Sequence, residues 1–444
     1  MFFSQCRLIL SHTLPMLIAQ LASTGMIVID TVLLGHHSTE DLAAAAVGSG
    51  IYVAVLFALT GVLQAVSPTV AHLKGAGKDA EIAGALQQCF WLALMLAVPG
   101  VLFLHYPGAL LQLSAIEPGV EAKVRDYLAM LAWGMPAALF YRTFYAFCNA
   151  LGHPRPLMLI SIVCTLSHVF LAWQLVAGVG AIPGGVVGCG LSSVIVGWLA
   201  LMGGFGYVAR GKALAGYHLF LHWQRPRLPA MWELVRLGLP MGFSNFVEIS
   251  SFTLTSLFVA QLGASAVAGH RIVANLAALC YMLPLALSIA TLAQVGMAAG
   301  ARDWLRARIS VKAGLVLACG LATLLGVCLW VAETPLVAAY TSDPAVRAVA
   351  LSLIGYVVVY QIFDAMQTVA AFALRGYKIT FVPMFVHIFC FWGVALWGGW
   401  WLAFRAAKPL GVTGFWLASL ISLVLAAVLL GALLWKAVQK EDRR

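Results

Sequence analysis

Residues 14–35 read LPMLIAQLASTGMIVIDTVLLG, a run in which Asp30 is the only formally charged side chain. Wound as a helix at 1.5 Å per residue, the run is about 33 Å long, enough to cross a hydrocarbon core of about 30 Å. It is too long, and too interrupted by Asp30, for the apolar centre of a cleavable signal peptide, so it reads as a first membrane span. A second stretch, LPMGFSNFVEISSFTLTSLFVAQLG at 239–263, opens on the same Leu-Pro-Met and carries a single acid, Glu248. The offset is about 225 residues, and ALG at 150–152 is matched by LRG at 374–376 at nearly the same distance.

The remainder of the chain has the same character. Of 444 residues, 62% are hydrophobic and 9% charged, against about 25% charged in a soluble domain. Apolar runs of spanning length fall near 13–35, 46–70, 85–106, 127–150, 157–179, 185–208, 233–262, 267–299, 310–332, 350–374, 380–404 and 411–436. The chain is therefore expected to be an all-α integral membrane protein of about twelve transmembrane helices. Six spans per half bring both halves in from the same face, which makes the repeat parallel, with its axis along the membrane normal. The expected organisation is an N-terminal six-helix half over 1–208, a basic cytoplasmic linker over 209–230 containing Arg210, Lys212, Arg225 and Arg227, and a C-terminal six-helix half over 231–444.

The net charge of +10 sits between apolar runs rather than in one patch, which argues for membrane orientation and against nucleic-acid binding. With the N-terminus inside, nineteen basic residues, Arg375, Lys378, Arg443 and Arg444 among them, fall on the cytoplasmic side. Five face the other way: Lys123, Arg125, Arg347, Arg405 and Lys408. Both termini are thus expected in the cytoplasm. Nine cysteines show no CxxC spacing, and eight lie inside apolar runs, where a thiol behaves as a small hydrophobe; neither a disulfide framework nor a metal site is expected. No HExxH, GxSxG or GxxxxGK[ST] pattern occurs, which argues against an enzyme and against ATP-driven transport by this chain alone.

Of the sixteen acidic residues, Asp30, Glu248 and Asp364 lie within spans. A carboxylate at the bilayer centre costs about 2.5–3.5 kcal/mol on insertion scales, so all three should face protein interior or a water-filled cavity. A desolvated carboxylate can load and release a proton, and one with oxygen ligands nearby can hold sodium. Ser244, Asn245, Ser250, Ser251 and Thr253 surround Glu248 in sequence, and Tyr360, Gln361, Gln367 and Thr368 surround Asp364; either ion fits. His168 is a candidate proton relay. Arg142, His270 and Arg271 also fall within span limits, with Arg271 near an outer end where it can snorkel. Phe243, Phe246, Phe252, Tyr281, Met282, Tyr360, Phe363 and Met366 supply aromatic and thioether surface for flat organic cations.

Several segments together carry a family resemblance: DLAAAAVGSGIY from Asp41, SPTVAHLKGAGK from Ser67, ALGHPRP from Ala150, FVEISSFT around Glu248 and YQIFDAMQTVAAFALRGYKIT around Asp364. The chain resembles the multidrug and toxic compound extrusion (MATE) transporters, in their NorM-like branch, over nearly its whole length. That resemblance implies two six-helix bundles enclosing a V-shaped cleft, and export of hydrophobic, mostly cationic drugs against inward proton or sodium flow. It implies that Asp30 belongs to an N-terminal protonation site and that Glu248 and Asp364 share a C-terminal cation site, sodium being the alternative to a proton there. Phe243, Asn245, Phe246, Tyr281, Met282, Tyr360, Gln361, Phe363 and Gln367 are the expected substrate-cleft residues. Two departures stand out. His168 and Ala172 replace a usual asparagine pair, which leans the expectation towards protons, and Arg271 replaces an uncharged polar residue. Beyond the coupling ion, no cofactor is expected. The expected partners are small organic substrates and lipid, the working unit a monomer, and the location a bacterial inner membrane. A flippase of lipid-linked sugars from the same superfamily is the alternative, supported only by Arg142 and Arg271.

Overall fold

The computed structural model describes residues 1–108, 111, 118–178, 184–211, 214, 216–217, 219 and 223–442. Lys212, Arg443, Arg444 and part of the 209–230 linker lie outside them. Among the described residues the chain is helical without strands. Helices α1 (Phe2–His37), α2 (Thr39–Leu63), α3 (Val66–Gly75) and α4 (Asp79–His105) are followed by α5 (Pro118–Ala132) and α6 (Met135–Ala150). Next come α7 (Pro154–Ala177), α8 (Gly185–Arg210), α9 (Leu228–Val259), α10 (Ala264–Gly300) and α11 (Trp304–Val331). The series closes with α12 (Glu333–Tyr340), α13 (Pro344–Gly376), α14 (Phe381–His387), a π-helical stretch (Ile388–Gly398), α15 (Gly399–Phe404) and α16 (Val412–Asp442).

Among the described residues, eleven helical segments are long and apolar enough to cross a membrane. The twelfth expected span, 127–150, is present but divided into α5 and α6. Trp133 and Gly134 donate to the carbonyls of Met130 and Leu131 in a tightened turn, and Pro136 supplies no N–H to continue the ladder. Pro68 interrupts the second span in the same way, between α2 and α3. The eleventh span widens into π-helix over Ile388–Gly398, where Ser251 and Ser422 donate to the carbonyls of Phe391 and Cys390 at 2.9 and 2.7 Å. Bulky apolar side chains such as Leu166, Trp173, Val331 and Trp397 point outward, as lipid-facing residues must.

The chain forms two compact units, Pro15–Gly242 and Phe243–Arg444 joined by Met1–Leu14. Both divisions fall inside a helix beside a proline, Pro15 in α1 and Pro240 in α9, at corresponding points of the internal repeat. Within the first unit, Gly238 and Gly242 of α9 form a GxxxG face. A Cβ on Gly238 would strike the Val62 carbonyl, and a Cβ on Gly61 would strike the Gly242 backbone. Small residues at this spacing are what let two membrane helices approach this closely. The end of the linker is strapped to α4. The Gln87 and Gln88 side chains donate to the carbonyls of Leu219 and Arg225, and their oxygens accept from the amides of Gln224 and Arg227. In the second unit α13 is central, packed on α10, α11 and α16 around Val247, Val273, Leu353, Ile354, Val357 and Trp416.

Candidate functional site

Each unit holds a constellation of acidic and polar side chains inside its apolar helices. In the first, Asp30 on α1 faces His168 on α7. Thr165 donates to the Ala22 carbonyl at 3.0 Å, tying the two helices together, and the His168 Nε2–H donates to Asp30 Oδ1 at 2.7 Å. His168 is 1% exposed and Asp30 20%. The Cys189 thiol of α8 lies against the same carboxylate, and Tyr127 and Tyr52 interact electrostatically close by. His168, expected as a relay, is therefore the direct partner of Asp30.

In the second unit, Asp364 of α13 is 4% exposed and accepts from Gln367 Nε2 at 3.1 Å; the same Nε2 reaches Thr368 Oγ1 at 3.0 Å. Glu248 of α9 is partly buried, hydrogen-bonded to Tyr281 of α10 and close enough to Asp364 for the two charges to interact. Tyr281 also meets Thr368, which closes a network across α9, α10 and α13. The cation in this network is Arg375. Placed among the loop charges by its sequence position, it is instead 4% exposed, donates to Asn245 Oδ1 at 2.9 Å and interacts electrostatically with Glu248. The reason is geometric: α13 runs unbroken through Gly376, so Arg375 lies three helical turns below Asp364 on a buried face.

The expected cleft residues divide. Phe243 and Phe246 are exposed, their rings tilted against one another and each meeting Trp392 edge-to-face. Tyr360, Gln361 and Gln367 are buried, Phe363 packs against the core, and Tyr281 and Met282 are partly buried. Of the polar residues near Glu248 in sequence, Ser250 and Ser251 serve the π-helix instead, with Trp392 Nε1 donating to Ser250 Oγ at 2.9 Å. A cavity bounded by Ser251, Thr255, His270, Tyr360 and Trp416 lies one helical turn from Asp364. His270 is buried and meets Ser256 at 3.2 Å, whereas Arg271 is exposed. Among the described residues no three His, Cys, Asp or Glu side chains gather as a metal site would require.

Arg375, Cys189, Tyr127 and Tyr52 were not singled out from sequence. The charge of Arg375 inside the LRG repeat triplet was the signal available; a thiol or phenol within an apolar run gives none.

The profile of the MatE family matches residues 15–174 and again residues 240–401. The repeat inferred from Leu14 and Leu239 thus corresponds to two copies of one family unit. A protein of Aromatoleum aromaticum described as a probable multidrug resistance protein NorM is 56% identical over 95% of this chain and 92% of its own length. Another from Acinetobacter baylyi, described in the same words, is 36% identical over 94% and 92%. Among solved structures, an outward-facing multidrug resistance MATE family transporter of the MOP superfamily superimposes with a TM-score of 0.91, at 15% identity over 99% of this chain and 97% of that one. A eukaryotic MATE transporter gives 0.88, at 18% identity over 100% and 99%. The twelve-span helical architecture is shared with these structures, and the chain is a multi-pass membrane protein belonging to the MatE family of transporters.

Proposed function

We propose that this chain exports hydrophobic, mostly cationic organic compounds and drugs, driven by inward movement of protons or sodium ions through alternating access. The observation that carries the reading is the pair of separate acidic constellations, Asp30 with His168 in one unit and Glu248 with Asp364 in the other, each held inside apolar helices. Carboxylates in such surroundings are costly and persist where their charge is used. The multidrug resistance described for the relatives supports the choice of substrate class. The working unit is a single chain in a bacterial inner membrane with both termini in the cytoplasm, binding no cofactor beyond its coupling ion and carrying out no chemical conversion.

Alternating access needs ion and substrate to favour different states, each by its differential affinity. In the first unit His168 can take or return the proton that Asp30 exchanges, which makes that site the proton-handling one. In the second, the oxygens of Asp364, Glu248, Tyr281 and Thr368 form a ligand set suited to a hard cation such as sodium or a proton. Purified protein in liposomes, loaded with a fluorescent cationic dye and given an imposed proton or sodium gradient, tests this. Dye should move against its concentration difference under at least one gradient; movement only down that difference would contradict antiport.

A further inference from the structure

The cavity of the second unit is bordered by two side chains that each carry an unpartnered nitrogen. His270 of α10 and Trp416 of α16 are both 3% exposed, and His270 Nδ1 and Trp416 Nε1 meet no hydrogen-bond partner among the described residues. The two nitrogens are complementary. The Ser256 hydroxyl gives its proton to the Phe252 carbonyl at 3.1 Å, so its contact with His270 Nε2 at 3.2 Å places the imidazole proton on Nε2. Nδ1 is then an acceptor, whereas the indole Nε1–H can only donate. Arg271, exposed, is the charged group that acts on this ring. The cavity wall around it is neutral, with Thr255 of α9, Tyr360 of α13 and Trp416 of α16.

The open centre of the cavity is about 10 Å³, room for about one water. Water suits both nitrogens, accepting from Nε1–H and donating to Nδ1, with the Thr255 and Ser419 hydroxyls on the same wall. A bare sodium ion does not, because it needs several oxygens and would face an N–H. The position matters as much as the chemistry. The Trp416 ring meets His270 and Tyr360 at centroid distances of 5.7 and 5.9 Å. Tyr360 stands one helical turn before Asp364 on α13 and interacts electrostatically with Asp364 and Glu248. At the other end, Ser256 is half-buried and His270 lies about 9 Å from the start of α10, which is the outer end in the orientation proposed above. We propose that His270 and Trp416 hold a water that admits protons from the outer face to Asp364 through the interior of the second unit, on a route closed to sodium. A proton reaching this water leaves it for the Tyr360 hydroxyl, whose own proton passes to the Asp364 carboxylate, so that one proton enters and one is bound. This deepens the export reading above and rests on it.

The test uses the full chain in liposomes with a fluorescent cationic dye and an imposed proton or sodium gradient. Trp416→Phe keeps a ring and removes the N–H, and His270→Phe removes the acceptor. Each should slow proton-driven export about threefold to tenfold, the loss of one hydrogen bond to the water, with equilibrium dye affinity and any sodium-driven export unchanged. His270→Asn, which returns an acceptor oxygen near the Nδ1 position, should recover part of the rate. A density map of the chain in lipid, at a resolution that shows waters, should place one within hydrogen-bond distance of both nitrogens. Wild-type rates in both Phe variants, equal losses under both gradients, wild-type export driven by sodium alone, or a map without that water would each overturn the route. Wild-type protein that moves dye under neither gradient would instead overturn the export reading, and the map then decides the water site by itself. The map decides equally if the variants do not fold.

Discussion

The two acidic constellations solve one problem by different means. In the first unit a single carboxylate, Asp30, is answered by a single imidazole 2.7 Å away. In the second, two carboxylates share one network with amides, hydroxyls and Arg375, whose charge is permanent. A neutral–charged switch of histidine can follow a proton on and off its partner, whereas an arginine cannot release its charge. On the antiport reading proposed above, the first site would exchange protons and the second would hold a nearly constant count of charge around an entering cation. The difference also predicts unequal structural dependence, because removing Arg375, the permanent cation of this buried network, leaves two acids uncompensated.

The sharpest way to break that contrast is Arg375→Ala, which should lower stability by about 3–5 kcal/mol, read as the thermal midpoint of the detergent-purified chain; Arg375→Lys should recover much of it. An unchanged midpoint would mean that the second unit needs no internal counter-charge. Next in size are Asp364→Asn, Glu248→Gln and Asp30→Asn, each expected to cut gradient-driven export by about 5–150-fold. Folding should hold, since each variant replaces a carboxylate with its amide, and full activity in all three would refute carboxylate coupling. His168→Gln keeps a hydrogen-bond donor near Asp30 but removes the ionisable ring. Export driven by a proton gradient should then fall while any response to sodium remains, and unaltered proton-driven export would remove the proton-handling role from the first unit. The smallest effect is expected at Lys123, which bridges Glu40 and Asp41 at 2.9 and 3.0 Å at the edge of the first unit. Its ammonium is pushed up from the ordinary lysine value by hydrogen bonds to Glu40 and then Asp41. Asp41 is buried but keeps His37 at 2.8 Å as a second partner, and Lys123 and Glu40 are solvent-accessible, so Lys123→Ala should cost about 1 kcal/mol; a much larger loss of thermal midpoint would show that Asp41 depends on this ammonium.

Sequence alone singled out Asp30, Glu248 and Asp364 as candidates, because a formal charge in an apolar run is conspicuous in one dimension. It also pointed to His168 but not to its partner, since Asp30 and His168 are 138 residues apart and meet only when α1 and α7 pack. Arg375 was misread for the complementary reason: α13 ends one residue after it, so its position suggested a loop, while burial depends on which face of α13 it occupies. The serines near Glu248 show the same limit. Their nearness in sequence suggested ion ligands, and in three dimensions Ser250 and Ser251 turn towards the π-helix.

The membrane architecture is written in the order of the residues: the spacing of apolar runs set the spans, and the two Leu-Pro-Met openings set the repeat. Those features are local, since the length of a hydrocarbon crossing and the cost of a bare peptide group in lipid act on each segment separately. Tertiary structure decided the rest. It placed the division into compact units inside α1 and α9 beside Pro15 and Pro240, and paired each acid with its neighbour. Those outcomes depend on which helix faces meet, and helices that are apolar on nearly every side carry no pattern that would declare it.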